Sequence, residues 1–97
     1  MKHSEAEDIL YQLVINFFNE KLSQGERAMM LIEKINMTDV LDLEDDFLND
    51  TYFALKHFDE EVCKTTNAEL LYLKECFEKK RKYSRDERDA FIQKNTK

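Results

Sequence analysis

The chain has 97 residues, 42% of them hydrophobic and 37% charged, with one glycine, no proline and a net charge of −6. That length allows one domain with a modest core. Lacking the turn residues that sandwiches and barrels need about every 8–12 positions, the sequence excludes both and points to an all-α fold. The acidic balance disfavours nonspecific binding to nucleic acid or anionic membranes and favours a basic partner.

Five helices are predicted, near residues 5–22, 24–36, 39–60, 67–82 and 85–94, forming a single compact bundle of four to five helices over residues 1–97. Capping boxes mark four of the starts: Ser4 with Glu7, Ser23 with Glu26, Thr66 with Glu69, and Ser84 with Glu87. In each, the hydroxyl accepts from the backbone N–H three residues on, and the glutamate reaches back to the cap's own N–H. Thr38 before Asp39 is a fifth candidate cap.

In the first helix, Ile9, Leu10, Leu13, Val14 and Phe17 make one broad core stripe at about 100° per residue. A second stripe, Tyr11, Ile15, Phe18 and Leu22, runs beside it. One amphipathic helix does not need so much apolar surface. Either this helix is central, or the second stripe forms a homodimer contact. The second helix offers Ala28, Met29, Leu31, Ile32 and Ile35 as a short apolar face, whose methionines suit an irregular core gap or an adaptable contact surface.

The third predicted helix begins with DVLDLEDDFLNDTYF, residues 39–53, which holds six acids and two phenylalanines. Val40, Leu43, Phe47, Ala54 and Phe58 share a stripe that reads as core, with Leu41, Leu48 and Leu55 beside it. The opposite side carries Asp42, Asp46, Asn49 and Phe53, flanked by Asp45, Asp50 and His57. Carboxylates around an aromatic anchor offer a basic partner both burial and charge complementarity. Like charges at Asp42 and Asp46, four apart, repel unless a cation answers them.

The fourth helix buries Leu70, Leu73 and Phe77, flanked by Leu71 and Cys76. The run EKKRKYSRDER, residues 78–88, is the basic segment: residues 74–97 hold nine bases against five acids, net +4, whereas residues 1–73 hold six bases against sixteen acids, net −10. It suits a helix C-terminus, where cations offset the dipole, better than a nucleic-acid contact with Tyr83 stacking. The fifth helix has Ala90, Phe91 and Ile92 as anchors.

The chemistry of a site is otherwise absent from the pattern. Neither His3 nor His57 follows a glutamate by three positions, as bundle di-metal sites require, and LEDDFLND lacks the glycine of a calcium loop. No nucleophile setting is recognisable, so neither an enzyme nor a cofactor is expected. Cys63 and Cys76 match no zinc or disulfide pattern and read as reduced thiols, with Cys76 in the core. MKHSEAED is no secretory signal, and LVINFF at 13–18 is far short of a membrane span. A cytoplasmic protein is expected.

The acid-and-aromatic stretch DLEDDFLNDTYFALKHFDEE at 42–61, followed by the helix ELLYLKECFEKK at 69–80, resembles the small helical immunity proteins of bacterial nuclease toxins. The inhibitors of colicin D and of contact-dependent growth inhibition toxins are similar in style. That resemblance implies one-to-one binding of a basic toxin nuclease, an RNase or tRNase, whose active site is masked by carboxylates mimicking RNA phosphates. The basic run at 79–85 departs from the pattern. Two other classes stay open: a helical regulatory or adaptor protein acting as a dimer, and a small nucleic-acid-associated regulator using residues 79–88.

Overall fold

The computed structural model describes residues 1–19, 22–58 and 66–95. Every regular element among them is a helix: α1 (His3–Asn19), α2 (Gln24–Lys34), α3 (Met37–Asp42), α4 (Asp46–Lys56), α5 (Asn67–Phe77) and α6 (Arg85–Asn95). The fold is all-α, with six helices among the described residues rather than four or five. None is long and apolar enough to cross a membrane. The radius of gyration, 12.7 Å, is close to the ~12.5 Å expected of a chain this long folded as one globule.

Helix α1 is central, packing against α5, α4 and α2. Ala6, Leu10, Leu13, Val14 and Phe17 recur at helical spacing and are all buried, one stripe meeting three neighbours. The second stripe is half-buried rather than exposed at each of its four positions. Tyr11 lies on Phe77 with ring centres 5.5 Å apart, and Phe18 packs on the core. The chain's own helices therefore take up much of the surface that a homodimer would need. Ser4 lies inside α1 instead of capping it, and the predicted extension to residue 22 passes through residues outside those described.

The predicted helix at 39–60 is two helices. Helix α3 ends at Asp42, Glu44 turns into the left-handed region with φ 53°, and Asp45 is extended. The Asp45 carboxylate then accepts from the Leu48 N–H at 3.1 Å and starts α4 afresh. Asn36, not Thr38, caps α3, its side-chain oxygen accepting from the Thr38 N–H at 2.8 Å. The break resets the helical phase. Leu48, Thr51, Tyr52 and Leu55 become the buried stripe of α4, with Ala54, while Leu41 is left exposed and Phe47 and Phe58 are half-buried. The last positions of the predicted helix lie outside the described residues.

Helix α5 ends at Phe77, five residues before the predicted boundary. Lys79 adopts φ 64°, and the N–H groups of Lys80 and Lys79 close back on the carbonyls of Glu75 (2.9 Å) and Cys76 (3.2 Å). That paired closure satisfies carbonyls that the helix end would leave without partners. The basic run thus becomes a connection, held by Tyr72. The hydroxyl of this fully buried side chain, which periodicity alone did not single out, accepts from the Ser84 N–H at 3.2 Å. Cys76 is buried, as expected, with burial raising its thiol pKa; Cys63 lies outside the described residues.

The apolar face expected of α2 is divided between core and solvent. Leu31 and Ile35 face inward and Met30 packs on the core, but Met29 (54%) and Ile32 (73%) are exposed, and so is Ala28. Its capping box forms as predicted: the Ser23 hydroxyl accepts from the Glu26 N–H, and the Glu26 carboxylate accepts from the Ser23 N–H, both at 3.1 Å.

Candidate functional site

The seven residues predicted as a binding face are divided by the break at 43–45. Asp42 ends α3, Asp45 is the N-terminal cap of α4, Asp46, Asn49, Asp50 and Phe53 lie along α4 at helical spacing, and His57 is its C-terminal cap. Their environments differ sharply.

Asp50 is the most enclosed carboxylate of the seven, with a side chain 15% exposed. Arg85 grips it through two N–H groups, Nε at 2.7 Å and Nη2 at 3.0 Å, the fork-to-fork geometry that guanidinium and carboxylate share. The Tyr83 hydroxyl donates to the same carboxylate, and Arg88 Nη1 stands 3.6 Å away. Burial on its own would raise the Asp50 pKa, but the hydrogen bonds from Arg85 and Tyr83 outweigh it and the net shift is downward. The charge of Asp50 is therefore answered within the chain, by Arg85 and Arg88. Tyr83, Arg85 and Arg88, in the basic run, reach Asp50 on α4.

Asp45 is also engaged, with the His3 ring 2.7 Å away and the Leu48 N–H on its other oxygen. Burial opposes ionisation here too, and those two contacts overcome it, so the Asp45 pKa is lowered. Asn49 is half-buried, and its Oδ1 meets no hydrogen-bond partner among the described residues. Phe53 is half-buried against the core, edge-on to Tyr52 at 5.6 Å and stacked on His57 at 6.2 Å.

Two of the seven face solvent. Asp42 is exposed, and Asp46 is 81% exposed with only a 3.9 Å approach from the mostly exposed Arg85, a pairing that contributes little in water. Between them stands Glu44, exposed in its left-handed turn, and beside them Leu41 is 43% exposed. Periodicity missed Glu44 and Leu41 because it treated residues 39–60 as one straight helix.

Tyr83 is half-buried and engaged within the chain: its ring lies 5.0 Å from Phe47 and 6.1 Å from Tyr72, and its hydroxyl is held by Asp50. Burial, then Asp50, raises its pKa. The chain matches no family model, no curated protein and no solved structure.

The paired carboxylates make stability pH-dependent in a calculable direction. A carboxyl whose folded pKa is depressed stabilises the fold above its ordinary pKa and loses that contribution as pH falls through the folded value. Glu78, hydrogen-bonded by Lys74 and then by the Tyr11 hydroxyl, each at 2.8 Å, drops from 4.5 to about 2. Asp45 and Asp50 act in the same sense. Glu69, raised by burial, acts in the opposite sense and gains as it protonates. The urea midpoint is expected to hold from pH 7 to about 5 and then fall between about 4.5 and 2. A midpoint unchanged down to about pH 2.5 would show that these pairs do not form in solution.

Proposed function

We propose that this chain is a protein-binding module that captures a basic partner at the α3–α4 corner, and that it serves as the immunity protein of a nuclease toxin. The observation that carries the reading is the exposure of Leu41, Asp42, Glu44 and Asp46, all within the six residues where the chain passes from α3 into α4. Carboxylates gathered on an exposed corner focus negative potential, which steers a cationic protein and speeds encounter. Leu41 supplies an apolar contact whose desolvation slows escape. Asp50 and Asp45 hold the corner in place from within, and Phe53 supports α4 from a half-buried position. A nuclease that binds RNA phosphates presents the complementary cations, so carboxylates at this corner compete for the same site.

The test is binding kinetics against basic toxin nuclease domains at two ionic strengths, alongside inhibition of their RNase activity. The double variant Asp42→Asn, Asp46→Asn is expected to slow association about tenfold at low salt and to flatten its salt dependence. Leu41→Ala is expected to hasten dissociation instead. Association at the unaltered rate in the double variant would remove this corner from the interface. Binding without loss of nuclease activity would favour an adaptor over an immunity protein.

A further inference from the structure

We propose that α6 is a displaceable cover: a basic amphipathic helix of the captured partner takes its place on α4 and α5, which adds Asp50 to the acidic corner. The inference rests on the reading of that corner as a site for a basic protein. It starts from how little holds α6. None of its eleven residues is buried; Arg88, Phe91 and Ile92 are half-buried and the rest are exposed. Helix α1, by contrast, buries a full stripe. A helix that buries so little apolar surface barely offsets the entropy lost in ordering it. Such segments open before the rest of a fold does.

What α6 contacts defines what can replace it. Arg85 and Arg88 both reach the Asp50 carboxylate, Arg85 through two N–H groups and Arg88 at 3.6 Å. Phe91, one turn beyond Arg88, lies 5.6 Å from the fully buried Tyr72, ring centre to ring centre. Glu69, half-buried on α5, feels the charges of both Arg88 and Asp50. When α6 leaves, Asp50 keeps the Tyr83 hydroxyl but loses both guanidinium groups. An enclosed carboxylate stripped of its cations is costly, so an acidic or purely apolar helix cannot substitute. The helix that fits carries arginines at i and i+3 and an aromatic ring at i+6, as α6 itself does.

The cover and the corner are joined. Arg85 also stands 3.9 Å from Asp46, the exposed acid of the corner one turn before Asp50 on α4. A basic protein that settles on Asp46 meets Arg85 there and competes with it for Asp50. Helix α6 is then a built-in competitor, and the apparent affinity for the partner scales with the fraction of molecules in which it is open.

The experiment uses the full-length chain and two synthetic peptides, one copying residues 83–95 and one copying them with Arg85→Glu and Arg88→Glu. Hydrogen exchange of residues 85–95 is expected to be faster than that of the slowest α1 amides by about tenfold or more. The double variant Arg85→Ala, Phe91→Ala should keep the α1 exchange rates and bind the copied peptide about tenfold more tightly than the unaltered chain does. Adding Asp50→Asn should remove that gain, and the charge-reversed peptide should bind neither protein. Adding Asp42→Asn instead, which alters the corner but no contact of α6, should leave peptide binding as it is. A corner that captures no nuclease therefore leaves the peptide result standing. The proposal is overturned if α6 exchanges together with α1, if the double variant loses α1 protection too, or if both peptides bind alike or neither binds. Sedimentation that shows two copies exchanging α6 as a dimer would overturn it as well.

Discussion

Phe17→Ala is expected to destabilise the fold by about 3–5 kcal/mol, the usual loss when a buried phenylalanine leaves a cavity that its neighbours cannot fill. Phe17 sits on the central helix among residues of the main core and meets Phe58 edge-on at 5.7 Å. Phe53→Ala provides the contrast. Its ring is half-buried and already touches solvent, so the same truncation should cost about 1–2 kcal/mol, with less apolar area removed from contact. Urea denaturation of both variants, read at equal slope, checks the difference. Equal losses would mean that Phe53 belongs to the core as fully as Phe17. A loss under about 1 kcal/mol at Phe17 would mean that the packing around α1 is misplaced.

Asp50→Asn should cost about 2–3 kcal/mol, because a half-buried carboxylate that accepts from Arg85 and Tyr83 is replaced by an amide with one acceptor oxygen. Asp46→Asn, four residues away and highly exposed, should change stability by less than about 0.5 kcal/mol. The effect at Asp50 should also be local. Helix α6 buries no residue completely and leans on the Asp50 cluster and on Phe91, which lies 5.6 Å from Tyr72. Hydrogen exchange of residues 85–95 should therefore accelerate more than that of α1. Equal effects of the two substitutions would show that the basic run does not answer the acidic helix in solution.

The all-helical class was legible from residue types alone, because turn residues are all but absent and caps recur before periodic segments. The core stripe of α1 was legible too. Its apolar residues keep one phase over a long uninterrupted helix, and Leu10, Leu13, Val14 and Phe17 had little choice of face. The capping box at Ser23 is a contact over three residues and needs nothing from the rest of the fold.

Other features depended on contacts between distant segments. Among Asp42, Asp45 and Asp46, each could cap a helix, and local chemistry does not rank them. Asp45 was selected where His3, 42 residues away, meets its carboxylate. Helix α2 carries apolar residues around most of its circumference, so its own pattern could not say which would go inside. The positions of α1 and α4 put Leu31 and Ile35 inward and Ile32 outward. The acidic face of α4 read as an unmet charge because its answer, Arg85, lies 35 residues further along the chain. Periodicity records which side chains share a face of one helix. Which faces meet, and which charges they neutralise, is decided only when the helices pack.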